Sequence, residues 1–308
     1  MSLACHRWIA KAVIQKTASK LRLLPVYHRA QQLGGRLKNF HPSTRIEYAG
    51  KLAADIGLER LQGATAVEIG TGWVPVMPIA LKLLGVNAIH SFDLTRHLQK
   101  IITMRALSKF DEVLEELARR SGASLASLQT QFEQLKVAPA FGELARRMDF
   151  HYHAPMDFTQ YPIRAKSVDL IYSNLVLEHV TPNALRRILR RSREVLKPGG
   201  VCWHNVDYTD HYAATHAGMS PANFLRYSEG FWNAVGQNDI LYQNRLRRSD
   251  YTKAFVAAGF EIVHSIDHVM QDDKLVDKVP LAPEFSHRPA TDILGTSSRF
   301  VLRVAEHV

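Results

Sequence analysis

Apolar residues follow two periodicities along this chain. Short runs such as Ala66-Val67-Glu68-Ile69 are apolar or β-branched at nearly every position, the composition of a strand covered on both faces. Longer stretches repeat apolar residues every third or fourth position, as a helix with one buried face does. The first kind predicts strands at 66–69, Ala88–Phe92, Phe150–His153, Val168–Asn174, 201–206, Phe260–Val269 and 299–304. The second predicts helices at 3–24, 45–61, 75–84, 183–196 and 249–258. Between His97 and Met148, Phe110, Val113, Leu114 and Leu117, then Leu125, Leu128, Phe132 and Leu135, recur at helical spacing, so two or three helices are expected there, covering a substrate pocket or simply packing. Strands that alternate with helices predict an α/β fold with a largely parallel, doubly wound sheet.

Breaks in the pattern mark the turns. Pro25, Gly34-Gly35 and His41-Pro42 interrupt the N-terminal helical region, and Lys197-Pro198-Gly199-Gly200 reads as a turn before the fifth strand. Residues 272–298 are polar and contain proline, which predicts a surface excursion.

Charge changes the picture in one place. The net charge of +10 suggests a nucleic-acid footprint, but residues 1–46 hold nine Lys and Arg and no Asp or Glu, which leaves 30 basic against 29 acidic residues in the body. The basicity belongs to the N-terminal arm, and nucleic acid is not expected as a partner. Residues 3–24 place Leu3, Cys5, Trp8, Ile9, Ala12 and Val13 on one side and Arg7, Lys11, Lys16 and Lys20 mostly on the other. A helix packed on the catalytic core, a basic helix in weak contact with an anionic membrane surface and an organelle leader all fit that pattern. No run of 18 apolar residues predicts a transmembrane helix, and Cys5 and Cys202 make neither a disulfide framework nor a zinc pattern, so a reducing cytoplasm fits.

The chemistry starts at the first strand. Gly70-Thr71-Gly72 permits a sharp turn and close approach to a ligand, and Asp93 ends the second strand 23 residues after Gly70, the spacing of a carboxylate that grips ribose hydroxyls. Val74, Pro75 and Val76 stand where a dinucleotide loop needs glycine beside a pyrophosphate, which points away from NAD.

Glu68-x-Gly70-x-Gly72 followed by Asp93, then Asp157-Phe158, Ser173-Asn174-Leu175-Val176-Leu177-Glu178-His179-Val180 and Leu196-Lys197-Pro198-Gly199-Gly200, resembles the ordered motifs of class I S-adenosylmethionine-dependent methyltransferases. The resemblance covers roughly residue 64 to the end. It implies a Rossmann-like, seven-stranded doubly wound sheet (63–308) with N-terminal helices (1–62) and insertions at about 97–148 and 208–248. It implies S-adenosyl-L-methionine as cofactor, with contacts from Glu68, Gly70, Thr71, Gly72, Asp93, Leu94, Asp157, Phe158 and Asn174. In this family N-terminal helices often close over the cofactor, which draws in Arg45 and Tyr48, although a solvated helix face also accounts for them. SNLV lacks the Asn/Asp-Pro-Pro-aromatic run of base-modifying enzymes.

His204, Asp207, Asp210 and His211 fall around the carboxyl end of the fifth strand, where open α/β sheets place ligands. A general base, a polar substrate contact, a metal site and plain turn chemistry all fit that spacing, and no metal is assigned. If the methyl acceptor is a hydroxyl, His204, His211 and His179 are the candidate bases, with Asp207 orienting one of them. Phe224, Tyr227, Phe231 and Trp232, with Tyr242, Asn244 and Arg245, suit a sugar-like or natural-product acceptor. VDYTDHYA, YQNRLRRSDY and AGF resemble methyltransferases of bacterial surface-glycan biosynthesis. O-methylation of a small polar molecule is the expectation; N-methylation and a non-catalytic Rossmann-fold binding protein are the alternatives.

Overall fold

The computed structural model describes residues 4–20, 37, 39–216, 218–238, 242–271 and 280–306. Strands β1 (Thr65–Ile69), β2 (Ala88–Phe92), β3 (Phe150–His153), β4 (Val168–Asn174), β5 (Leu196–Asp207), β6 (Phe260–Val269) and β7 (Gly295–Val304) form one sheet in the order β3-β2-β1-β4-β5-β7-β6. β1, β2, β3, β4 and β5 pair in parallel, and β7 runs against both of its neighbours. From β1 the chain builds outward to β3, then returns to lay β4 against the other side of β1. That reversal opens a crevice beyond the carboxyl ends of β1 and β4.

Side chains alternate across the strands into two cores. Ala66, Leu170, Tyr172, Val201 and Trp203 face one side, and Val67, Ile171, Cys202 and Val206 face the other. The first side is covered by the helices α2 (Ser43–Ile56), α3 (Val76–Leu83), α5 (Leu114–Ser121) and α6 (Leu125–Lys136). The second is covered by α8 (Pro182–Val195) and α9 (Arg248–Ala257). The Thr181 hydroxyl caps α8 by accepting from the Ala184 amide at 3.2 Å, and Pro182 takes the first turn, where its missing N–H costs nothing. Asp55 of α2 joins Arg299 of β7 at 2.9 Å and accepts from Trp203 Nε1 at 2.9 Å, a buried link that fixes α2 across the sheet.

Four helices, not two or three, fill the segment after β2: α4 (Lys100–Leu107), α5, α6 and α7 (Phe141–Met148). Their apolar stripes, Phe110, Leu117, Leu128 and Phe132 among them, join the first core. β5 begins at Leu196 and carries the Lys-Pro-Gly-Gly stretch within it, Gly199 taking φ +79° and the β4–β5 register shifting between Val168 and Leu170. β7 likewise begins four residues early, because its antiparallel pairing continues to Asp207↔Ser297 with β5 and to Val269↔Gly295 with β6.

The N-terminal helix α1 (Ala4–Lys20) packs on the 208–248 region: Trp8 lies 5.2 Å from Tyr212, 5.2 Å from Tyr227 and 5.8 Å from Trp232, ring centre to ring centre. Val13, expected on the packed side, is exposed. Pro25 and Gly34-Gly35 lie outside the described residues. The predicted surface excursion also packs in part, since Ala282, Phe285 and Ile293 complete the same third core and α10 (Ala290–Leu294) leads into β7. Arg247, fully buried, donates to the carbonyls of Asp292, Tyr208, Ile293 and Gly295 and ties this region to the sheet.

Candidate active site

The loop after β1 opens the crevice. Gly70 has φ +84°, and a Cβ there would stand 2.5 Å from Val176 Cγ2, so a side chain is excluded both by conformation and by the segment after β4. Gly72 has φ +71° with open space where its Cβ would be. Its amide donates to Asp93 Oδ2 at 3.2 Å, and the Tyr152 hydroxyl donates to the same oxygen at 2.8 Å. Burial raises the Asp93 pKa to about 6, with the Tyr152 and Gly72 bonds offsetting part of the shift. Leu94, 74% exposed, follows it at the crevice rim.

Glu68 is placed beneath this loop and not in the crevice. Its carboxylate accepts from the Ser91 hydroxyl at 2.5 Å, Ser91 also contacts the Thr71 hydroxyl, and burial raises the Glu68 pKa to about 7. Its contribution is to hold the loop. Asp157 turns the chain after β3, its Oδ1 accepting from the Thr159 amide and hydroxyl at 2.8 Å each. Phe158, expected to contact the cofactor, is buried against Phe92 at 5.6 Å as part of the second core. Asn174 closes β4 and accepts from Asn205 Nδ2 at 2.8 Å.

Leu175, next in the chain, has φ +57°, a strained conformation for a non-glycine residue. It swings the Leu177–His179 turn over the crevice. Glu178 there is 1% exposed, and neither carboxylate oxygen has a hydrogen-bond partner among the described residues. Burial drives its pKa well above the ordinary value; nearby amides of Glu178 and Asp207 temper this without reaching bonding geometry, and Asp207 reinforces it. His179 Nδ1 donates to the Tyr242 carbonyl at 2.7 Å, which leaves Nε2 as its lone-pair nitrogen. One edge of the ring is open to solvent, while desolvation of the rest, followed by repulsion from His211, outweighs the Tyr242 bond and lowers its pKa.

From the end of β5, Asp207 and His211 complete the group. His211 Nε2 is 3.5 Å from Asp207 Oδ2, and the His211 and His179 rings lie 4.9 Å apart. Asp207 Oδ1 accepts from the Thr209 amide and hydroxyl at 2.7 Å each. Burial pushes the Asp207 pKa up, but the bonds from His211 and Thr209 prevail and it falls below its ordinary value. α2 closes the other side: Arg45 acts electrostatically on Glu178, while burial, Glu47, Asp207 and Glu178 raise the Tyr48 pKa against the opposing pull of Arg45.

Four sequence candidates are placed elsewhere. His204 is fully buried in the second core, its Nδ1 2.8 Å from the Ser173 hydroxyl and its ring stacked 6.0 Å from Phe255; burial lowers its pKa to about 3, so it has neither access nor basicity for proton transfer. Asp210 is buried, accepting from the Tyr212 amide and Asn223 Nδ2. Asn244 donates to the Leu177 and Val180 carbonyls at 2.8 Å, so it shapes the Glu178 turn from below. Arg245 donates to the Phe224 and Tyr227 carbonyls and lies over Trp232 and Phe285. Of the proposed substrate contacts, Tyr242 adjoins the cluster through its carbonyl and Asn244 through its amide, which donates to the Glu178 carbonyl at 2.8 Å. Glu178 and Tyr152 also adjoin the candidate site; in the sequence, Glu178 is marked only by its place beside His179 in the segment after β4.

The donor set fits S-adenosylmethionine. Asp93, Asp157 and Asn174 offer acceptors for ribose hydroxyls, an amino group and a cationic tail, and Leu94 an apolar rim, whereas a pyrophosphate would face carboxylates. Residues 108–204 match the family described as "Methyltransferase domain". Among curated proteins none matches. The chain is similar to a solved S-adenosylmethionine-dependent methyltransferase from Mesorhizobium loti (16% identity, 82% of this chain and 97% of that one, TM-score 0.42). It is similar to YcgJ from Bacillus subtilis (12%, 84% and 98%, 0.42). It is also similar to phospholethanolamine N-methyltransferase 2 from Haemonchus contortus (14%, 83% and 52%, 0.42). At these scores nothing about activity follows from the three. No helix among the described residues is long and apolar enough to cross a membrane. The strand order and the residues lining the crevice stand beside a methyltransferase-domain match that spans residues 108–204 of the 308.

Proposed function

We propose that this chain is an S-adenosylmethionine-dependent methyltransferase that modifies a hydroxyl of a small polar acceptor, of sugar-like or natural-product type, held between the cofactor crevice and the cluster of His179, Asp207 and His211. The observation that carries the reading is the Asp207–His211 pair at 3.5 Å, set beside the segment whose Val176 abuts Gly70. When bound, the cofactor supplies an electrophilic methyl group: the carbon–sulfur bond breaks, the carbon–oxygen bond forms and the hydroxyl proton is released. His211 receives that proton, and Asp207 orients the ring and stabilises its cationic form. The Leu175–Val180 turn aligns acceptor with donor, which is the main requirement of an in-line displacement.

Among the aromatic residues at 208–248, Tyr212, Phe224 and Trp232 are buried in the third core and offer the acceptor no stacking face, whereas Phe231 is exposed. Support for a polar acceptor comes from the cluster alone. The test is transfer of labelled methyl from S-adenosylmethionine to a panel of polyhydroxylated small molecules. His211→Gln should lower turnover about 100-fold or more, the usual scale for a lost general base, while leaving S-adenosylhomocysteine affinity unchanged. Full turnover in that variant would remove His211 from the mechanism.

A further inference from the structure

Glu178 is a carboxyl group that folding has placed out of water: it is 1% exposed, and among the described residues neither oxygen has a hydrogen-bond partner. Such a group ordinarily carries a substantial desolvation cost unless a cation or donor meets it. Two imidazoles stand beside it. One ligand atom each from Glu178, His179 and His211 lies within 4.8 Å of the other two. The His179 tautomer is set by the Tyr242 carbonyl at 2.7 Å, the arrangement by which a metal-ligating histidine is oriented through its second nitrogen.

We propose that Glu178, His179 and His211 form a binding site for one divalent transition-metal ion, such as Zn²⁺. Two nitrogens and one carboxylate oxygen suit zinc or its first-row neighbours; magnesium and calcium favour sites built of oxygen. Metal bonds of about 2.0–2.2 Å put tetrahedral ligand atoms roughly 3.4 Å apart, so ligand atoms that lie within 4.8 Å of one another need to close by at most about 1.4 Å on binding. Asp207, 3.5 Å from His211, then adds negative charge beside the ion. Three protein ligands leave a coordination position open, as catalytic zinc sites do. The site itself does not depend on the acceptor reading; only its use does. With the ion absent His211 is free to take the acceptor's proton, and with it present His211 is a ligand and Asp207 is the remaining carboxylate at hand.

The experiment is calorimetric titration of chelator-stripped, full-length protein with Zn²⁺, paired with thermal unfolding. Expected is one equivalent bound, with a rise in Tm that one equivalent suffices to produce. Glu178→Gln and His179→Gln should each weaken binding at least about tenfold and abolish the Tm rise. A second histidine group, His90, His151 and His153 at the β2–β3 edge, has His90 Nδ1 3.2 Å from His153 Nε2 and supplies the control. Replacing His90 and His153 by Gln should leave the stoichiometry and affinity unchanged. Absence of binding, binding that survives both Glu178→Gln and His179→Gln, or binding lost only with the His90/His153 control would overturn the proposal. S-adenosylhomocysteine affinity, measured on the same samples, reports folding of each variant; His211→Gln replaces any variant that fails it. Failure of Zn²⁺ binding with cofactor binding intact removes the metal site and leaves the methyl-transfer reading standing.

Discussion

The Tyr152 hydroxyl donates to Asp93 Oδ2 over 2.8 Å, reaching from β3 to the end of β2 and meeting there the amide of Gly72 from the loop after β1. One carboxylate oxygen thus ties together three neighbouring strand ends. The Asp93 carboxylate is thereby oriented by the protein alone.

Tyr152→Phe removes one neutral donor to a carboxylate while keeping the ring. It should weaken S-adenosylhomocysteine binding by about 1–2 kcal/mol, roughly 5- to 30-fold, with little change in thermal stability. Calorimetric titration of the variant checks this, and an unchanged affinity would mean that Asp93 needs no such support.

Glu68 makes stability fall as pH rises. Its folded pKa, about 7, is above the ordinary 4.5, so the folded state holds a proton more tightly than the unfolded chain does. Its contribution is complete below the unfolded value and is lost as pH climbs through about 7, an effect of order 3 kcal/mol at 1.36 kcal/mol per unit. Glu68→Gln, which keeps an acceptor for Ser91, should flatten denaturant-measured stability between pH 5 and 8 and raise it at pH 8. A wild-type curve already flat over that range would contradict the placement of Glu68.

His204→Ala should act on stability and not on cofactor affinity. Deleting a buried ring packed on Phe255 and bonded to Ser173 is expected to cost about 2–4 kcal/mol in urea unfolding. S-adenosylhomocysteine binding by the folded fraction should match wild type.

The seven strands were legible because each is a short apolar run between breaks, and the cofactor edge because glycine conformation and strand-end carboxylates leave local marks. Where His204 stands was not legible from its neighbours. Both faces of this sheet are covered, so from Gly200 to Val206 every residue of β5 is buried whichever way it points, and Asp207, at the strand's end, is only partly so. Asn244 and Arg245 were misread because long polar side chains that satisfy buried carbonyls have the same sequence signature as ones that meet a ligand. The meaning of Glu178 rests on its meeting His211, which lies 33 positions away and is brought near only by the pairing of β4 with β5. The four-helix segment was undercounted because α4 and α7 are one face of eight residues each, too short for a sustained period.

The central claim is tested most directly by calorimetric titration of the wild-type protein and Asp93→Ala with S-adenosylhomocysteine, and of the wild type with NADH. The account predicts one molecule of S-adenosylhomocysteine bound by the wild type, loss of at least about 100-fold in Asp93→Ala, on the scale of a charged hydrogen-bonding partner removed, and no NADH binding. Absence of S-adenosylhomocysteine binding, or equal binding by Asp93→Ala, would contradict it.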